Sequence, residues 1–345
     1  MSNSTVPRTR TEADTTKKTP VASGDATGSG KGKTNTGKLS LRLRFRRDRV
    51  LLLMTLPAVL LVLLFNYVPI LGNVVAFQEY DPYISENGIV SILHSPWVGL
   101  ENFQRIFEDS AFWNAVQNTL VLFVLQLVLY FPVPILLALL INSVVRPRVR
   151  AISQAILYLP HFFSWVLVIA VFQQMFGGAG LLSQLLRDHG YDGLSIMTDP
   201  DTFKFLVTAQ SVWKDAGWGI IVFLAALASV SPDLYEAAAM DGANRWRRMW
   251  HVTLPALRPV IALLLVLRVG DALTVGFEQI LLQRGAVGPG AAEVLDTFVW
   301  WNGVRNQDFG YAAAAGLVKG VISLGLVLIA NKVAHLMGEQ GVYKK

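Results

Sequence analysis

Long apolar runs alternate with short polar segments along this chain, and the runs set the architecture. A helix needs about 20 mostly apolar residues to cross the hydrocarbon core of a bilayer. Six stretches reach that length: residues 50–71, 112–142, 152–176, 203–230, 260–282 and 312–336. A buried helix of a soluble protein could imitate one such run, but hardly six. The pattern predicts an all-α polytopic membrane protein with six transmembrane helices. Pro132 and Pro134 fall inside the second run and predict a kink there. Residues 1–45 have almost no large apolar side chains, which predicts a disordered tail.

Charge sharpens this picture. Only 16% of residues are charged, against about 25% in soluble domains. Residues 1–49 hold twelve basic and four acidic side chains, so the net charge of +6 belongs to the tail and the rest is slightly acidic. That distribution argues against a nucleic-acid partner. Further basic clusters lie at Arg146, Arg148 and Arg150, at Arg245, Arg247, Arg248 and Arg258, and at Lys344 and Lys345. The alternate segments carry the acids: Glu79, Asp81, Glu86, Glu101, Glu108 and Asp109, then Asp188, Asp192, Asp199 and Asp201, then Glu293, Asp296 and Asp308. Basic loops stay on the cytoplasmic side. Six spans with both termini in the cytoplasm satisfy every loop, and the tail becomes a basic cytoplasmic one.

The chemistry available is narrow. There is no cysteine, and the five histidines form no metal-binding pair at helical spacing. Gly32-Lys33-Thr34 imitates a phosphate loop, but Thr27 stands where that motif needs glycine, and no apolar strand precedes it. The chain is expected to hold no cofactor and no ATP site of its own.

Between the fourth and fifth runs lies "SPDLYEAAAMDGANRWRRMWHVTLP". Ser231 and Pro232 read as a helix start with Asp233 in its first turn. Gly242 permits a tight turn, and Asn244 can cap a second helix. Trp246, Met249, Trp250 and Thr253 follow helical spacing. Pro255 is expected to end that element. The loop 231–256 is therefore two short helices meeting at a glycine. Lying flat on lipid is one reading of it. Docking a protein is the other, because small alanines and fixed carboxylates suit a partner surface.

The run Glu236, Ala237, Ala238, Asp241, Gly242 and Ala243, followed by Leu254 and Pro255, resembles the EAA motif of ATP-binding-cassette importer permeases. Val252 stands where isoleucine is commoner. The stretches "SPWVGLENF", "YLPHFFSWV", "VWKDAGWG" and "GFEQI" are similar to those of polysaccharide or lipo-oligosaccharide permeases, within the maltose-type superfamily. The resemblance covers residues 46–343, which it implies are one importer transmembrane domain. It implies a subunit that is not an enzyme, in the bacterial plasma membrane, importing an oligosaccharide or polysaccharide fragment by alternating access. It further implies a cytoplasmic coupling helix at the EAA loop that docks on a separate ATPase pair, where ATP and magnesium are bound. A second, different permease and an extracytoplasmic sugar-binding protein complete the set of partners. Two other classes remain for comparison: a membrane enzyme acting on lipid-linked sugars, and an ion-coupled carrier. Neither accounts for the EAA segment.

The fifth run holds the costliest residues. On one continuous helix, Arg268, Asp271, Thr274 and Glu278 would share about 120° of arc. A charge at membrane depth costs about 2.5–3.5 kcal/mol on insertion scales, so this stripe is expected to face a cavity or protein. It reads either as a substrate pathway, with Gln279 beside it, or as an Arg268–Asp271 pair that neutralises itself. Trp165, Trp213 and Trp218 could stack on sugar rings, although tryptophans also populate membrane interfaces.

Overall fold

A computed structural model describes residues 49–193 and 195–336 of the chain. The basic tail 1–45 and the terminal Lys344 and Lys345 lie outside them. Six helical stretches are long and apolar enough to cross a membrane: Arg49–Phe77, Ser110–Ser143, Trp165–Asp188, Phe203–Ala228, Arg245–Gly270 and Phe309–Leu336. Among the described residues there is no β-sheet, and Gln78 and Trp97 form one isolated bridge.

The chain divides into two units, at Val62 and Leu63. In the first, helix α1 (Arg49–Val62) is exposed at every residue. The second unit contains α2 (Gly88–His94), α3 (Glu101–Glu108), α4 (Ser110–Leu125), α5 (Pro132–Ser143), α6 (Pro147–Tyr158), α7 (Trp165–Phe176), α8 (Phe203–Ala228), α9 (Pro232–Met240), α10 (Arg245–Arg248), α11 (Leu254–Gly270), α12 (Phe277–Val287) and α13 (Phe309–Leu336).

Helix α8 is the hub of the second unit. It packs against α4, α5, α6, α11 and α12 and against the turns Gln126–Tyr130 and Leu159–Phe162. Its Ile220, Phe223, Leu224 and Leu227 meet Ile135, Ala138, Ile141 and Leu257 in one cluster. Nearer its start, Phe203 and Val207 pack with Leu122, Val275 and Ile280. In a bilayer such contacts hold by close packing, because lipid tails are as apolar as leucine. Gly217 shows how close: a Cβ there would sit 1.8 Å from the Leu157 carbonyl oxygen of α6.

Amide side chains fasten α12 to this hub. The Gln279 Nε2 donates to the Val207 carbonyl at 2.9 Å and to Gln210 Oε1 at 2.7 Å, while Ser211 Oγ donates to Gln279 Oε1 at 3.2 Å. Gln283 and Gln210 exchange bonds at 3.0 and 3.2 Å. The three glutamines are buried, and each polar group would cost about 1–3 kcal/mol if left unpaired.

Three features differ from the sequence expectation. The run 152–176 is not one helix: α6 ends at Tyr158, a turn spans Leu159–Phe162, and Ser164 caps α7 by accepting from the Leu167 N–H at 3.3 Å. The run 260–282 is not one helix either. Helix α11 stops at Gly270, Gly276 takes a left-handed φ of 54°, and α12 starts anew at Phe277. Lastly, Pro255 does not end its element. It lies in the first turn of α11, and the backbone stays helical from Arg245 to Gly270.

Pro255 is tolerated because of what precedes it. A proline ring collides with the carbonyl four residues earlier in an α-helix. The wide π-turn Met249–Thr253, closed by the Leu254 N–H on the Met249 carbonyl, moves that carbonyl aside. The same arrangement recurs at Pro132, after the π-turn Gln126–Tyr130, and at Pro69, after Leu63–Tyr67. The distortion expected at Pro132 is thus this π-turn.

The Gly217 contact yields a direct prediction. Gly217→Ala is expected to lower the stability of the purified chain by about 1–3 kcal/mol or more, the cost of overpacking, measured as a drop in thermal unfolding midpoint. An unchanged midpoint would mean that α6 does not approach α8 this closely.

Candidate functional site

The break in the third apolar run builds the first candidate site. The turn Leu159–Phe162 interrupts the helix just before the candidate span Trp165–Asp188, and its freed carbonyls need partners. Lys214 on α8 meets that demand: its Nζ donates to the His161 carbonyl at 2.7 Å. Lys214 is buried, lies 3.7 Å from Asp215 Oδ1 and sits over the Trp165 ring at 5.5 Å. His161 Nδ1 contacts the same Asp215 oxygen at 2.8 Å. Its ring stacks on Trp218, with centroids 4.5 Å apart and planes 9° from parallel. Phe162 meets Trp218 edge-on. The close approach at Gly217 brings α6 near enough to α8 for these contacts to form.

Arg268 occupies a related position on α11. Its Nη2 donates to the buried Gln126 Oε1, and its guanidinium faces the Tyr130 ring at 5.9 Å. Among the described residues no ion pair joins Arg268 to Asp271 or to another carboxylate, and its Nε is buried without a hydrogen-bond partner. The self-neutralising pair is therefore not what forms.

The remaining residues of the expected stripe are dispersed by the break after Gly270. Asp271 is an exposed C-cap of α11, Thr274 lies exposed in the following turn, and Glu278 is exposed in the first turn of α12. Gln279 is fully buried, with its amide committed to α8, and is part of the frame rather than of a polar surface. Trp213 meets Phe172 edge-on and stays half-exposed. Trp165 and Trp218 do gather at one place, together with His161, Lys214 and Asp215, which the sequence reading left unassigned. The signal for them was present: two adjacent charges inside an apolar run, and Pro160-His161 inside another.

The second candidate site is the EAA loop. Ser231 Oγ accepts from the Asp233 N–H at 3.3 Å and starts α9. At its end the Ala243 N–H reaches the Ala238 carbonyl at 2.9 Å and the Gly242 N–H reaches Ala239 at 3.0 Å. This double bond pattern is a Schellman cap, and Gly242 supplies the left-handed φ of 72° that it requires. Asn244 then caps α10 by accepting from the Arg247 N–H at 2.8 Å. Tyr235 and Thr253 hydroxyls, 3.3 Å apart, tie the two helices together. Trp246 and Trp250 meet edge-on at 5.9 Å. Leu254 and Pro255 are half-buried and carry the chain into α11. By contrast Glu236, Ala237, Asp241 and Gly242 are exposed, as are Leu234, Trp246 and Met240, the last at 89%. The loop is thus internally fixed and outwardly bare.

Comparisons with known proteins show the family. The family described as "Binding-protein-dependent transport system inner membrane component" matches residues 130–337. The polygalacturonan/rhamnogalacturonan transport system permease protein YteP of Bacillus subtilis is 43% identical over 86% of this chain and 91% of its own length. The arabinooligosaccharides transport system permease protein AraP of the same organism is 30% identical over 84% of this chain and 90% of its own. A chain of a bacterial alginate ABC transporter, solved in complex with an alginate pentasaccharide-bound periplasmic protein, superposes with a TM-score of 0.79 at 36% identity. That match covers 88% of this chain and 99% of the other. The relatives are transporter permeases, not enzymes. On the matched family region, and on relatives aligned over nearly their whole length, this chain belongs to the binding-protein-dependent transport system inner membrane components.

Proposed function

We propose that this permease forms half of the pathway of an ATP-driven importer for acidic oligosaccharides. The observation that carries the acidic class is Arg268. It holds a guanidinium at membrane depth with only a glutamine and a tyrosine ring as partners. A cation so placed costs several kcal/mol unless an anion visits it, and a sugar carboxylate is such an anion. Trp218, His161 and Phe162 supply ring faces for the sugar's apolar side, and Trp165 lies under Lys214. The transport names of the relatives, and a matching structure (36% identical, TM-score 0.78) described as importing the acidic polysaccharide alginate, support the same reading.

Energy enters through the EAA loop. Glu236, Ala237, Ala238, Asp241, Gly242 and Ala243 form the face that docks on the ATPase pair, where ATP and magnesium are bound. The loop then lies in the cytoplasm with both termini, as the basic segments suggest. A second, non-identical permease completes the pathway, and an extracytoplasmic binding protein delivers the sugar. Closure of the ATPase pair moves the docked loop, and the Schellman turn and the Tyr235–Thr253 tie make it move as one body with α11.

Two sets of variants test this. Arg268→Gln is expected to cut uptake of an acidic oligosaccharide by about 10–100-fold, the worth of a charged hydrogen bond, and to leave a neutral oligosaccharide unaffected. Equal loss for both sugars would reject the acidic assignment. Glu236→Lys is expected to abolish co-purification of the ATPase, and Gly242→Ala to weaken it. A Cβ at Gly242 meets nothing within 4 Å, so its cost is the left-handed backbone alone, about 1–2 kcal/mol. Full retention of the ATPase by both variants would overturn the docking face.

A further inference from the structure

Helix α2 is inside out. Its polar side faces the protein and its apolar side faces away. Ser91 is fully buried, and its Oγ lies 3.2 Å from the Ser85 carbonyl and accepts from the Ser85 N–H at 3.2 Å. Ser95, also buried, donates to the Ser91 carbonyl at 2.8 Å and accepts from the Asp81 N–H at 3.3 Å. Ile89 and Leu93, one turn apart and about 200° from Ser91 on the helix, are 70% and 75% exposed. Trp97 and Leu100 extend the bare surface at 64% and 61%.

Two observations say what covers it. First, the segment is pinned at the end of a candidate membrane span. The Trp97 ring lies on Phe77, the last residue of the stretch Arg49–Phe77, at 5.6 Å and 8° from parallel. The Val98 N–H donates to the Phe77 carbonyl at 2.9 Å, and the Glu79 N–H to Pro96 at 2.9 Å. Second, residues 88–100, "GIVSILHSPWVGL", contain no Asp, Glu, Lys or Arg, whereas Glu79, Asp81 and Glu86 precede them and Glu101 follows. A loop bathed in water, or a rim that meets a soluble protein, carries charge. A surface at the boundary of headgroups and acyl chains carries aliphatic residues and tryptophan.

We infer that residues 88–100 form an interfacial anchor, with Ile89, Leu93, Trp97 and Leu100 seated in the outer part of the lipid leaflet that surrounds the end of the first span. The inference rests on the membrane location of the chain but not on its sugar or on its ATPase docking face. Its occupant is lipid, not a protein partner.

The sequence has no cysteine, so single substitutions label this chain at one site once any cysteines of the partner subunits are replaced by serine. Leu93→Cys, Ile89→Cys and Glu86→Cys would each carry a nitroxide, in the complete transporter reconstituted in vesicles of phosphatidylethanolamine and phosphatidylglycerol. The labels at 93 and 89 are expected to collide more often with dissolved oxygen than with a water-soluble nickel chelate. At Glu86, exposed beside the patch, that ratio is expected to reverse. If positions 93 and 89 behave like position 86, the patch lies in water and the anchor is overturned. If both are shielded from oxygen and nickel alike, a protein partner covers them, which also overturns it. The two positions are independent, so a failure of either variant to assemble leaves the other to decide.

Discussion

The rest of this structure depends on how the break between α6 and α7 is held against α8. Lys214 reaches across from α8 to the His161 carbonyl and pins the turn between α6 and α7. The ammonium needs a counter-charge, which Asp215 supplies, and Asp215 in turn holds His161 against Trp218. Gly217 makes this possible two residues further on by letting α6 touch α8. One backbone defect thus gathers a cation, a carboxylate, an imidazole and two indoles at one place.

Charge elsewhere is handled by distance from water. Arg284 and Glu293 are nearly buried, pair directly, and have the Trp301 ring 3.8 Å from the guanidinium. Lys319 in α13 pairs with Asp296. Removing one member of such a pair strands its partner, at a cost of about 3–5 kcal/mol. Arg105 and Asp308 pair at 2.6 Å where both are substantially exposed. The hydrogen bond that Arg105 donates to Asp308 raises the Arg105 pKa further above its ordinary range. That pair contributes about 0–1 kcal/mol. Against this pattern Arg268, provided only with neutral partners, stands out.

Much of this was legible beforehand, and the reasons for the failures are local. The six apolar stretches, the Ser231 and Asn244 caps and the glycine turn follow from side-chain chemistry that acts within a few residues. The break at Leu159–Phe162 did not emerge, because its residues are themselves apolar and a hydropathy window reads straight through them. Pro160 followed by Ser164 was the available sign. The break after Gly270 misled more seriously, since a helical wheel carried through it placed Glu278 and Gln279 beside Arg268. The glutamine network could not be read at all, because which amides meet is set by how α12 packs on α8.

The three π-turns that precede prolines carry a consequence for reading the membrane helices themselves. Each admits one residue more than an α-turn, so every side chain beyond it is rotated by about 100° relative to an unbroken helix. Faces counted from Trp246 do not carry past Thr253, nor those from Asn118 past Tyr130. Wheels for such spans have to be restarted at Leu254 and Phe131. The proline that follows would collide with an ordinary α-turn, so the extra residue is locked in, and it fixes the phase at which the EAA loop hands its direction to the span it enters.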